Sequence, residues 1–435
     1  MNRKSVAILG ALALLCLLAA ATISGGAPLA GTVQQPEPTH PAGTALRPVD
    51  GGPDFYGQFS NPLPTDPNYF PVGVWFESAL EKDYVAKDLA AGLNTYVVLT
   101  PDSDMELIKS SGMYAIPTYP AGTAAGFALG DEVDMWAGGG DGAWSGKYPG
   151  EGPICVPEQA KCGYTVQGQL RAAAPQGTMV YANYGKGVTF WLSDEQSQKF
   201  LREYQDVVSA DNYWFTDPNI CAKTEGGAIN GYLRDLTPAQ CRLAANYGWT
   251  VERIRKLTGG NKPVWAFVEA GHPFEDSPAA ATMTGPQLRA AVWSSLIHGA
   301  RGIVYFNHSF GGDCVTQHVL RDCPGDVRPA VTAVNHQIKQ LAPVLNAPFL
   351  DGAATASGPV DVATKLHNGQ AYVFSGANTQ AGGQATFHLA CGGSTAVVID
   401  ENRTIPITDA TFTDNFADGN AVHLYRIEGG TSCGW

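Results

Sequence analysis

Two stretches of the chain end alike. Residues 126–135 read Gly-Phe-Ala-Leu-Gly-Asp-Glu-Val-Asp-Met, and residues 262–271 read Lys-Pro-Val-Trp-Ala-Phe-Val-Glu-Ala-Gly. Each is an apolar run of strand type that stops at a carboxylate, Glu132 in the first and Glu269 in the second. Two carboxyls delivered to one place by two strand ends suit chemistry at an acetal carbon, as in a glycosidic bond. One donates a proton while the other attacks or activates water. Register separates Glu132 from its neighbour Asp131, because side chains alternate faces along a strand. Ala128 and Gly130 share the face of Glu132, whereas the bulkier Phe127 and Leu129 share that of Asp131. Glu132 is therefore expected to point into a crowded interior and Asp131 to turn sideways.

Other residues of useful type fall at or near expected strand ends. Carboxylates and amides bind hydroxyl groups, and aromatic faces cover the C–H faces of sugar rings. On these grounds Trp75, Tyr119, Asp131, Trp136, Tyr184, Asp211, Asn212, Tyr213, Asn307 and His308 are the expected substrate contacts. Competing chemistries are poorly served. His298, His308 and His318 recur at a spacing that fits no metal-ligand pattern, and no C-x-x-C occurs. Residues 138–142 are glycine-rich but lack the Lys-Ser/Thr that ends a phosphate loop, and no G-x-S-x-G is present. No metal and no cofactor are expected.

The elements that hold these residues follow a beat. Apolar runs at 72–76, 94–99, 113–118, 126–131, 178–184, 207–211, 263–268 and 302–306 alternate with amphipathic stretches. Ser193 and Thr237-Pro238 start helices, and Gly259 and Gly299 end them. Eight such repeats predict an α/β fold, a closed (β/α)8 TIM barrel over residues 69–346. The interval between the third and fourth runs is too short for a helix, so the third helix is expected to be short or missing. From 347 to 435 the pattern changes to short alternating runs, predicting a small antiparallel β-sandwich domain.

The ends and the composition bound the setting. Arg3 and Lys4 precede an apolar run from 6 to 23, so residues 1–27 read as a secretory signal. Residues 28–68 are rich in Pro, Gly and Thr and read as a linker. Nine cysteines are present, and Cys16 leaves with the signal. The remaining eight fall as neighbours, so disulfides Cys155–Cys162, Cys221–Cys241, Cys314–Cys323 and Cys391–Cys433 are the simplest pairing in a secreted or cell-envelope protein. The net charge of −13, with no Lys/Arg cluster beyond the first residues, argues against nucleic acid and anionic membrane surfaces as partners. A carbohydrate is the expected partner, bound by a monomer that is free of the membrane once the signal is cleaved.

These motifs together resemble the large clan of retaining (β/α)8 glycoside hydrolases. That clan carries an acid/base Glu after strand four and a nucleophile Glu after strand seven. Gly130-Asp-Glu-Val-Asp134 and Trp265-Ala-Phe-Val-Glu-Ala270 occupy those places, and Ala300-Arg-Gly-Ile-Val-Tyr-Phe306 resembles the eighth strand. A C-terminal β domain is a common appendage. The clan usually has Asn before the acid/base, where it holds the sugar 2-hydroxyl; here Asp131 stands there. The resemblance implies double displacement, with Glu269 attacking the anomeric carbon while Glu132 protonates the leaving oxygen. By strand order, Tyr213 is expected to orient Glu269. Two alternatives stay open: a catalytically silent carbohydrate-binding protein, and an inverting or non-hydrolytic enzyme that uses Asp211 or Asp131 with Glu269. Carboxyls about 5–5.5 Å apart mean retention and about 6.5–9.5 Å inversion.

Overall fold

Eight short parallel strands alternate with helices in the computed structural model, which describes residues 40–147, 151–231, 233–274 and 282–430. They are β1 (Val72–Glu77), β2 (Thr95–Leu99), β3 (Tyr114–Ile116), β4 (Gly126–Ala128), β5 (Met179–Tyr184), β6 (Val207–Ala210), β7 (Ala266–Glu269) and β8 (Ile303–Phe306). Parallel ladders join β7, β8, β1, β2 and β3 in one run and β4, β5 and β6 in another. Two seams complete the ring. Ala125 N and Ala128 N donate to Ala115 O and Pro117 O, and Val208 bridges Val264 in parallel. The result is the closed (β/α)8 barrel that the beat predicts.

Alternation sorts the strand side chains. Trp75, Val97, Tyr181, Val207, Trp265, Phe267 and Val304 fill the interior, while Val74, Tyr96, Val180, Val208, Val268 and Tyr305 pack on the helices. Reciprocal capping boxes at Ser193 and Thr284 start the helices Asp194–Glu203 and Gly285–Ile297. The third helix is missing, as the short interval predicts: residues 117–125 cross from β3 to β4 in turns and bends.

Residues 40–68 depart from the expected linker. Ala45–Arg47 pairs antiparallel with Phe349–Asp351. Tyr56 and Leu63 are buried against Met179, Val207 and Trp265, and Trp265 Nε1 donates to Tyr56 Oη at 2.9 Å. Met179 and Val207 open their strands, so this segment stoppers the end of the barrel away from the strand C-termini. Its few apolar anchors are scattered among Pro and Gly with no period, which is why the sequence pattern misses it.

After residue 345 the strands form two antiparallel sheets. Phe349–Asp351, Val360–His367, Gln370–Ala377, Val422–Glu428, Thr395–Val398 and Arg403–Pro406 make one, edged by Ala45–Arg47; Ala354–Ser357, Gly383–Leu389 and Thr411–Phe416 make the other. Val373, Tyr425 and Ile427 of the first meet Phe387, Phe412 and Phe416 of the second, forming the core of a β-sandwich. Trp293 of helix Gly285–Ile297 packs edge-on against Phe374 at 5.4 Å and ties the sandwich to the barrel.

Disulfides Cys155–Cys162, Cys221–Cys241 and Cys314–Cys323 are formed as expected. The fourth pairing involves Cys433, which, like the signal at 1–27, lies outside the described residues. Among the described residues no helix is long and apolar enough to cross a membrane.

Candidate active site

The alternation that selects Glu132 breaks just after β4. Leu129 packs on the helices as expected, but a Cβ on Gly130 would point the same way, 2.8 Å from Val133 Cγ2 and 3.1 Å from Leu170 Cδ1. Asp131 is thereby brought inward, where its Oδ1 accepts from Asn183 Nδ2 at 3.0 Å. This corrects the sideways orientation expected from register. Glu132 follows in the left-handed region, φ 48° and ψ 34°, a costly conformation for a residue with a Cβ. Both carboxyls therefore reach the mouth at the C-terminal ends of the strands, and both keep contact with solvent.

There the carboxyl of Glu132 comes up beside that of Asp211, just past β6. Gly185 leaves room for it: a Cβ there would lie 3.0 Å from Glu132 Oε1 and 2.2 Å from Met135 Sδ. Asp211 Oδ2 also accepts from Tyr213 Oη at 3.2 Å. Asn183, which holds Asp131, accepts in turn from Ser209 Oγ at 2.6 Å. Asp134 has a different task. It accepts from Gly185 N and Val188 N at 3.0 and 2.8 Å, and so fixes the turn after β5.

Burial pushes Glu132 up to about 8, and the charges of Asp131 and Asp134 add to the rise. Asp131, whose side chain is exposed at the mouth, is pushed in the same direction, by desolvation and by the Asp134 charge. Asp211 rises well above the usual carboxylate range, through burial and then the nearby Glu132 and Asp131. Neighbouring carboxyls such as Glu132 and Asp211 resist ionising together, so the pair retains a proton at neutral pH.

Glu269 sits apart from this cluster. It is 0% exposed. Its Oε1 accepts from Phe215 N at 3.1 Å and Thr216 Oγ1 at 3.4 Å, and its Oε2 from Tyr247 Oη at 2.5 Å. Burial raises it to about 7 against the pull of those donors. The orienting tyrosine is thus Tyr247, on helix Ala245–Thr258, and not Tyr213, which binds Asp211. Tyr213 does lie in the electrostatic field of both Glu132 and Glu269.

Opposite β4 and β5, the mouth has an aromatic wall. Tyr213 packs on Phe306 at 5.2 Å, Phe306 on His308 at 5.2 Å, and His308 on Phe76 at 5.5 Å. His308 Nε2 donates to Phe76 O, and burial lowers its imidazole below the usual range, so it is neutral. Asn307 turns away from the mouth, donating to Glu77 Oε2 at 2.6 Å.

The remaining expected contacts divide. Trp136 stays at the site, its Nε1 donating to Asp131 O at 2.7 Å. Asn212 is buried beside Thr189, which donates to its Oδ1 at 3.1 Å. Trp75 is a layer down, packed on Phe267 at 5.2 Å. Tyr184 faces the helices and donates to Phe200 O and Gln205 Oε1. Tyr119 donates to Thr100 O, beside Met105. Trp75 and Tyr184 are buried and therefore structural in this arrangement, while Tyr119 stays partly exposed past β3. Sequence reasoning passed over Phe76, Ser209 and Tyr247. Tyr247 had no available signal, lying in the first turn of a helix and at no strand end. Among the described residues no three His, Cys, Asp or Glu side chains are grouped to hold a metal ion.

No family model matches the sequence, and no curated protein matches it. Likeness is found among solved structures. A glycoside hydrolase family 5 from Bacteroides vulgatus ATCC 8482 aligns with TM-score 0.50 and 13% identity, over 85% of this chain and 90% of that one. The two share a fold. A GH30 endoxylanase from Clostridium papyrosolvens C71 aligns at TM-score 0.43 and 10% identity, over 83% and 96% of the two chains. An alpha-amylase from Geobacillus thermoleovorans complexed with acarbose gives 0.45 and 11%, over 82% and 98%. At such identities likeness speaks for architecture, and chemistry has to be read from the site.

Proposed function

We propose that the chain is a glycoside hydrolase acting at the barrel mouth, with Glu132 as its proton donor. The observation that carries this reading is the crowding of Glu132, at the end of β4, by the carboxyls of Asp131 and Asp134. Burial and those two charges keep a proton at neutral pH on a carboxyl that still reaches solvent, where barrel enzymes do their chemistry.

In this reading Glu269 is the nucleophile. An Oε of Glu269 bonds to the anomeric carbon as the bond to the leaving oxygen breaks, and Glu132 passes its proton to that oxygen. Water then attacks the same carbon, returns a proton to Glu132 and frees Glu269, so configuration is retained. Support comes from the position of Glu269 at the end of β7 and from the three donors that orient its carboxylate. A second reading is a carbohydrate-binding barrel without turnover, and the complete burial of Glu269 favours it. The disulfides support export to an oxidising compartment.

A polysaccharide panel with the product anomer followed by NMR tests both readings. Retention, with turnover lost in Glu269→Gln, supports double displacement. Full activity of Glu269→Gln rejects Glu269 as the nucleophile. Binding without cleavage anywhere on the panel leaves a silent carbohydrate-binding barrel.

A further inference from the structure

The residues that directly follow Glu132 line a groove of about 460 Å³, closed on its far side by the loop of the Cys155–Cys162 disulfide. Two tryptophans border it. Trp136 is held by its bond to Asp131 O. Trp191 is 48% exposed although Phe190 beside it stacks on Trp249 at 6.1 Å. A wide turn causes this exposure: Leu192 N reaches back to Gly187 O at 2.9 Å, a π-type closure that pushes Trp191 out. The indole is nevertheless fixed, because its Nε1 donates to Thr224 O at 3.0 Å. An exposed aromatic held rigid at its polar edge presents a ready face at little entropic cost.

The groove rises from β4 and β5. The aromatic wall of Phe76, Phe306 and His308 stands on β8 and β1, halfway around an eight-strand ring. Glu132 just precedes the groove's first residues in the chain, and Asp211 follows β6, the strand next to β5. Apolar faces flanking a polar centre suit a chain of rings whose C–H faces stack and whose hydroxyls meet carboxylates and amides. We infer that the mouth takes an extended sugar chain, with Trp191 and Trp136 binding rings beyond the bond at Glu132. The substrate class is then an oligo- or polysaccharide. This inference rests on the glycosidase reading given above.

The test uses the full chain with Glu132→Gln to hold substrate uncleaved, titrated calorimetrically with xylo-, cello-, manno- and malto-oligosaccharides of increasing length. Affinity is expected to climb with length for one series. Adding Trp191→Ala is expected to remove roughly tenfold of that climb, and Trp191→Phe to recover part of it. In the active protein, the ratio of kcat/KM for long over short substrates falls correspondingly in Trp191→Ala. A length dependence unchanged by Trp191→Ala overturns the groove assignment and leaves the glycosidase reading standing. Absence of binding and cleavage for every sugar overturns both.

Discussion

The carboxyls of Glu132 and Asp211 lie side by side although their strands, β4 and β6, are separated by β5. This pairing is stable only while one of the two is protonated. The fold supplies it by three local devices: the outward turn at Gly130, the left-handed backbone of Glu132 and the missing side chain at Gly185. The proton reservoir is thus built by backbone geometry as much as by charge.

A pH profile follows. A general acid works while protonated, so kcat/KM is expected to fall as pH rises through about 8, the value to which Glu132 is pushed. The Asp131 charge contributes to that elevation, so Asp131→Asn should move the falling limb to lower pH. Glu132→Gln should cost about 10²–10⁴ in rate on substrates with poor leaving groups. A limb unmoved by Asp131→Asn would contradict the assignment.

Stability carries the same signature. Glu132 and Glu269 are raised to about 8 and 7 in the folded chain. A carboxyl raised on folding binds its proton more tightly in the native state. Its contribution is complete below the unfolded value near 4 and is lost as pH climbs through the folded value. Melting temperature should therefore drop between pH 5 and pH 8.5, and Glu269→Gln should flatten part of that drop. Calorimetry at constant ionic strength measures it.

Tyr247→Phe isolates the support of Glu269. The variant removes the donor to Oε2 and leaves Phe215 N and Thr216 in place. A buried carboxyl deprived of one partner should cost about 1–3 kcal/mol in urea unfolding. Because that donor lowers the Glu269 value, its loss should raise it further, shifting the acid limb of activity to higher pH under the double-displacement reading.

Arg321 is the cation of a buried network. It sits 2.9 Å from Glu77 and 2.5 Å from Asp88, all three shielded from solvent. Glu77 also accepts from Asn307 and pairs with His318, which lies inside the Cys314–Cys323 loop. Arg321→Met leaves Asp88 without its charge partner and Glu77 with His318 alone, at an expected cost of about 3–5 kcal/mol. Chemical denaturation checks the size, and Arg321→Lys should recover part of it.

Much of the barrel was legible because parallel strands covered on both faces are apolar runs, and capped helices between them set the count. The site was legible where residue type and strand end coincide, as at Glu132 and Asp211. It was not where local backbone overrides alternation. Phe76 has φ 53°, which turns its ring out at the mouth and buries Glu77 beside it. Asp131 came inward for a similar reason. Tyr184 has the right type at the right end but the wrong face, and Trp75 the right face but too low a layer. Burial of Glu269 depends on Tyr247, whose approach is set by tertiary packing of a helix and leaves no mark in strand pattern.

The pairing of Ala45–Arg47 with Phe349–Asp351 has a consequence for how the molecule is made. Arg47 and Asp351, joined by a hydrogen bond of 2.7 Å, are 304 positions apart. Made before the barrel, this strand has no partner until residues 349–351 have been translated. Until then it is an unpaired edge, whereas the Tyr56 stopper behind it already has Met179, Val207 and Trp265 to pack on. The barrel is sealed below first and the sandwich edged last. A nascent fragment ending before residue 349 should be protease-sensitive across 40–47, with Tyr56 and Leu63 already protected.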